Sequence, residues 1–159
     1  MSHRFAPALV LLAAAAIPVA LMARSAGTPT KRTGAPVDGG LSCMVCHKTD
    51  PSANFDARGR FSIKTGAYTP GVKQIILVAL THPQASRLGF QLTARLASDE
   101  TKMAGTFSVS NWVRVKCAPD ERDAPCNGDS EFASHQLAST NAGVTGWSTW
   151  TVELTPPAQ

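Results

Sequence analysis

The residues of this chain with the most chemistry in them are Cys43-Met44-Val45-Cys46-His47. A C-x-x-C-H run can attach heme covalently. The two thiols add across the porphyrin vinyl groups, and the neighbouring histidine sits under the iron as an axial ligand. A two-residue gap lets both sulfurs reach one edge of the macrocycle. Here Cys43 and Cys46 would form the thioethers of a covalent heme c, and His47 would be the proximal iron ligand. Two other chemistries use the same residues. Cys43 and Cys46 could be a tight disulfide or a redox pair, with His47 incidental. A zinc site wants four ligands, and the chain offers no second C-x-x-C or H-x-H to supply them.

The other two cysteines, Cys117 and Cys126, bracket a polar, proline-bearing excursion, APDERDAP. That spacing predicts a disulfide closing a hairpin-like loop. Asp120, Glu121, Asp123 and Asp129 cluster there, but their spacing matches no EF-hand loop, so a solvated acidic loop is the expectation. Trp112, Trp147 and Trp150 could form a carbohydrate platform, although a small β domain normally places at least one tryptophan in its core. Trp150 shares a face with Val152 and Leu154 and is the core candidate, with Trp147 at the surface. No G-x-S-x-G elbow is present, and a thiol–disulfide oxidoreductase would need a βαβ setting that the sequence lacks.

The elements that must hold these residues begin after residue 25. His3 and Arg4 precede an apolar run, Phe5 to Ala23, and Ala23-Arg24-Ser25 offers small residues for signal-peptide cleavage. Segment 1–25 is therefore read as a secretory signal, with an uncleaved anchor as the rival reading. Removing it takes two of the 15 basic residues and none of the 11 acids, so net charge falls from +4 to +2. Neither this balance nor the distribution of charge forms a basic, aromatic-rich stripe, so nucleic acid is not an expected partner. An exported chain meets an oxidising compartment, where all four cysteines should be bridged, metallated or attached to a cofactor.

Segment 26–60 reads as an extended, loop-rich linker carrying the motif: residues 26–42 are rich in Gly, Pro, Thr and Ser, and 48–60 are polar. Segment 61–159 reads as β structure. Residues 61–64 alternate, 74–80 (QIILVAL) are apolar on both faces, and 89–96 (GFQLTARL), 112–117 and 147–154 alternate again, with a shorter strand at 105–109. No stretch carries a 3.6-residue apolar stripe. Any heme would therefore lie against the edge of a β-sandwich or at a protein contact, more exposed than in a helical cytochrome.

The pattern Thr33-Gly34-Ala35-Pro36, then Cys43-x-x-Cys46-His47, Tyr68-Thr69-Pro70-Gly71, Gly89-Phe90-Gln91-Leu92-Thr93-Ala94 and Trp147-x-x-Trp150-Thr151 resembles the bacterial reeler-like, or choice-of-anchor V, domain. The similarity runs from about Thr33 to Pro157. It implies an all-β, immunoglobulin-like sandwich on an exported protein. It also implies further strands beyond the WT-P segment, so that one sheet here would lack an edge strand or be completed by a partner. The resemblance places a histidine at His135, which makes it the leading candidate for the sixth iron ligand over His82, Met103 and Met44.

Taken together, these readings predict an exported monoheme c-type cytochrome-like protein. It would be an electron carrier rather than a catalyst, with redox proteins as partners and any membrane association through its N-terminus. Its place would be the periplasm, the cell surface or the extracellular space. The competing reading is a cofactor-free adhesion or binding module with two disulfides.

Overall fold

A computed structural model describes residues 26–48, 56–144 and 146–158. The signal or anchor expected at 1–25, and residues 49–55 of the 26–60 segment, lie outside the described residues. Within them the chain is all-β and antiparallel, with only short 3-10 turns besides. The strands are β1 (Arg60–Thr65), β2 (Gln74–His82), β3 (Gln91–Leu92), β4 (Arg95–Leu96), β5 (Asp99–Met103), β6 (Thr106–Phe107), β7 (Val113–Ala118), β8 (Ser130–His135) and β9 (Gly146–Thr155). A four-stranded sheet runs β1-β2-β9-β6, a three-stranded sheet runs β3-β8-β7, and β4 pairs with β5. Among the described residues no helix is long and apolar enough to cross a membrane.

The two larger sheets enclose one core. Alternation along β9 sends Trp150, Val152 and Leu154 inward, and alternation along β7 sends Val113, Val115 and Cys117 to meet them. Phe90 packs on Trp150 from the opposite sheet, with ring centroids 4.9 Å apart and planes tilted by 43°. The Trp150 indole N–H donates to the Ser139 carbonyl oxygen at 2.8 Å, so this large side chain is buried with its one polar atom paired. Glu131 ties the sheets together: its Oε2 accepts the Phe107 N–H at 2.7 Å. Desolvation there pushes its carboxyl above the ordinary glutamate range, opposed by that hydrogen bond.

Two expectations change in detail. The QIILVAL run does form the strand between β1 and β9, but only its inner face is covered. Ile76 and Val78 are buried while Ile75 and Leu77 are exposed, because no layer packs on the outer side of this sheet. The GFQLTARL run keeps its two-sided pattern but splits into β3, paired with β8, and β4, paired with β5. The split follows from a change of partner, since Thr93 Oγ1 donates to the Glu131 carbonyl while Ala94 O accepts from Ala104 N.

Cys117 and Cys126 are joined in a disulfide, as their spacing predicts, with Cα atoms 5.3 Å apart. Replacing both with alanine removes a cross-link over a loop of about ten residues. The loop-closure relation puts the loss near 2.7 kcal/mol. Urea denaturation of the double variant should show a drop of that order, and an unchanged midpoint would contradict it.

Candidate functional site

The segment before the motif is extended and lies along the outer face of the three-stranded sheet. A Cβ at Gly27 would come within 3.2 Å of Ser134 Oγ, and Gly27 has φ +120°, so a glycine suits this close approach. Gln91 holds the segment at three points: its Nε2 donates to Pro29 O at 2.7 Å and to Thr28 Oγ1, and its Oε1 accepts Arg32 N–H at 2.6 Å. Glu121 Oε1 accepts both Thr30 N–H at 2.7 Å and Thr30 Oγ1–H at 2.6 Å.

Further on, residues 33–42 form a loop closed by a bridge between Thr33 and Ser42 and by Gly34 N–H donating to Leu41 O at 2.8 Å. Asp38 pins this loop down. Arg95 Nη2 donates to both its carboxylate oxygens at 3.1 Å, with both side chains nearly buried. The Arg95 guanidinium lies over the ring of Phe132, 5.5 Å from its centroid. Phe132 is fully buried yet stands apart from the central core cluster, on the same outer face. Sequence reasoning missed this fastening because Gln91, Arg95 and Glu121 are 57 to 91 residues from their partners, beyond any local pattern.

The motif itself is one turn of helix. Cys43–Val45 is 3-10, and the Ser42 side chain caps it by accepting Met44 N–H at 3.3 Å. The Cys43 carbonyl then accepts from Cys46 N at 3.3 Å and from His47 N at 3.0 Å. These bonds to one carbonyl gather the backbones of Cys43, Cys46 and His47 into a single turn of chain. All three residues are exposed, and both cysteines are thiols. The Cys43 sulfur faces the Arg32 carbonyl oxygen at 3.8 Å. Desolvation of that sulfur pushes the Cys43 thiol up, its own backbone N–H and Arg32 pull it down, and neighbouring Cys46 adds to the rise. The net direction is upward, opposite to the lowering that activates a catalytic thiol. Val37, Leu41 and Val45 are exposed on the same short stretch of chain, giving the motif apolar neighbours.

The remaining candidates are placed elsewhere. His135 lies on the inner face of β8, its ring against the Gly89–Phe90 backbone, and Nδ1 sits 3.0 Å from Phe90 N and 3.1 Å from Phe90 O. A Cβ at Gly89 would come within 2.4 Å of that ring, which accounts for the glycine. The sheet thus lies between His135 and the strap that carries the motif. His82 accepts Gln84 N–H at 3.2 Å and Ala85 N–H at 3.0 Å on Nδ1, while Nε2 lies 3.0 Å from Asp56 Oδ2. Met103 ends β5, its sulfur 3.4 Å from Glu131 N. Met44 is half-buried within the motif turn. Each acid of the loop has a basic partner: Arg122 pairs with Asp120 at 3.0 Å and also with Asp129, and from β7 Arg114 pairs with Asp123 at 2.6 Å and Lys116 with Glu121 at 3.2 Å. Among the described residues no group of three or more His, Cys, Asp or Glu side chains is arranged to hold a metal ion.

The Glu121 tie gives a pH dependence. Burial pushes this carboxyl up, but the Thr30 hydroxyl, the Thr30 N–H and Lys116 together outweigh it and hold it below its ordinary value. A depressed folded value means that stability from this group is present above the unfolded value of 4.5 and is lost as pH falls through the folded one. Acidification below about pH 4.5 should therefore expose the Thr30 amide to hydrogen exchange, and Glu121→Gln should weaken that dependence. Protection that is flat with pH in the parent chain would contradict it.

No protein-family model, curated protein or solved structure matches this chain.

Proposed function

We propose that this protein is an exported, c-type cytochrome-like electron carrier. In this reading Cys43 and Cys46 bind one heme through thioethers and His47 is an axial ligand. A reeler-like, immunoglobulin-like sandwich is the scaffold. The carrying observation is the capped turn at 42–47, which brings two exposed, unbridged cysteines and an exposed histidine into one turn of chain. Those residues fit the group: both cysteines are unbridged and exposed as residues, and Val37, Leu41 and Val45 are exposed apolar residues on the same stretch of chain. Bound there, heme supplies a one-electron couple between ferric and ferrous iron. The chain's own part is to anchor and orient it through a loop that Asp38 and Arg95 fix to the sheet. A heme held on a surface loop exposes an edge to a redox partner protein, and exposure tunes its potential. Export to the periplasm or cell surface belongs to the same proposal, because that is where such attachment occurs.

Expression with cytochrome c maturation machinery tests this. The reduced visible spectrum should show a sharp α band that persists after acid–acetone extraction of loose heme. The double variant Cys43→Ala/Cys46→Ala should lose it, while Cys117→Ala/Cys126→Ala should keep it. A colourless parent protein would end the proposal. One observation favours a second reading: Trp112 and Trp147 are 57% and 56% exposed, as a cofactor-free binding module would need. Under that reading non-reducing mass spectrometry would find Cys43 bridged to Cys46.

A further inference from the structure

Glu131 stands on β8 opposite Cys117 of β7, and only 6% of it is exposed. The acids of the neighbouring loop, Asp120, Glu121, Asp123 and Asp129, each have a basic partner. Among the described residues Glu131 has no such partner. Its Oε2 accepts the Phe107 N–H, and its Oε1 accepts no hydrogen bond from them. An ionised carboxyl has room for about four hydrogen bonds, and a charge buried without a partner is costly.

Glu131 lines a cleft of about 520 Å³, within the range of small-molecule sites, about 300–1,000 Å³. One wall is β6, at the edge of the four-stranded sheet, with Val109 beyond it. The other is segment 124–128 of the disulfide-closed loop. Asn127 and Gly128 take left-handed backbone, with φ of 51° and 98°, and close a hairpin-type turn at this rim. Phe107, Val109, Ala124 and Pro125 make the lining largely apolar, and Glu131 is its single charged residue. A divalent metal ion needs several hard ligands. Among the described residues no three His, Cys, Asp or Glu side chains come together to supply them.

We propose that this cleft binds a primary ammonium group on a short apolar stem, with its N–H donating to Glu131 Oε1 and the stem lying against Phe107 and Pro125. Charge complementarity selects the occupant. A lone buried carboxylate in an apolar lining matches a lone cation on an apolar body, and hydrogen bonds between charged partners are the strong ones. The amine supplies the counter-ion that the fold leaves out. It leaves the Phe107 bond in place, because that bond uses the other oxygen. The desolvation that raises the Glu131 carboxyl is what a bound cation offsets. The inference is independent of the heme reading, since Cys43, Cys46 and His47 are not in the lining.

Titration of the isotope-labelled protein with n-butylammonium chloride, followed by amide NMR, tests it. The amides of Phe107, Asn127 and Gly128 should shift together and saturate as one site. n-Butanol, with the same stem and no charge, should leave them in place. Glu131→Gln keeps an acceptor for the Phe107 N–H but carries no charge, and it should weaken binding by about tenfold or more. Val109→Arg, at an exposed position, adds a competing cation to the lining and should weaken it too. A capped lysine amide separates the two sources of such a group. Binding tighter than that of n-butylammonium assigns it to a protein side chain, weaker binding to a free amine, and both support the site. Amides that stay in place, or that move equally with n-butanol, would overturn the proposal. So would a Glu131→Gln variant that binds n-butylammonium as the parent does.

Discussion

Replacing Trp150 with alanine should lower the free energy of unfolding by about 3–5 kcal/mol. The indole is 2% exposed, packs on Phe90 across the core, and pairs its N–H with the Ser139 carbonyl. Alanine leaves a cavity between the sheets and takes away a hydrogen-bond donor from a buried carbonyl, which adds its own cost. A domain of this size holds only about 5–15 kcal/mol in total, so this single change removes a large share of it. Trp147 is the internal control. It lies on the same strand but on the outer face, and Trp147→Ala should change stability by less than about 0.5 kcal/mol. Equal losses at the two positions, measured by urea denaturation, would contradict the assignment of the two faces.

Asp38→Ala should release the loop that carries the motif. Arg95 is nearly buried, and Asp38 is its carboxylate partner through two hydrogen bonds. The Arg95 Nε has no hydrogen-bond partner among the described residues, so its charge already leans on Asp38. Removing one member of a buried pair costs about 3–5 kcal/mol when the survivor stays buried. Here the loop can lift instead and let water reach Arg95, so the cost should emerge as local opening. About 3 kcal/mol corresponds to roughly a hundredfold loss of amide protection. Native-state hydrogen exchange should show that loss at Gly34 and Gly40, whose N–H groups close the loop on Leu41 and Ala35. The amides of β2 and β9 should keep their protection. If Gly34 and Gly40 are unaffected, Asp38 does not hold the loop.

What could be read from sequence follows from which interactions are local. The strands around Val115 and Val152 announce themselves through alternation, because each has one face in the core; the strand around Val78 shows as an apolar run, and β1 around Ile63 alternates although all six of its residues are exposed. The Cys117–Cys126 pairing is legible because the two residues flank a turn-rich loop. β5, by contrast, is DETKM, a polar strand in a ribbon with little to bury, and it leaves no periodic trace. The docking of 26–42 also leaves none. What fixes that segment is polar: Gln91, Glu121 and Arg95 reach it from distant parts of the chain. The motif is a pattern of five letters, whereas its local helical turn left no sequence trace. A single turn capped by Ser42 and held by the Cys43 carbonyl is too short to show a stripe. Phe132 shows the same limit, since its burial depends on Arg95 and the strap rather than on the core its strand faces.

Heme attachment at Cys43 and Cys46 is the claim on which the functional account depends, and intact mass of the exported product, denatured without reductant, tests it most directly. The account predicts the chain plus one heme, with only two hydrogens lost to the Cys117–Cys126 bridge. A mass of the bare chain with four hydrogens missing, all cysteines paired, would contradict it.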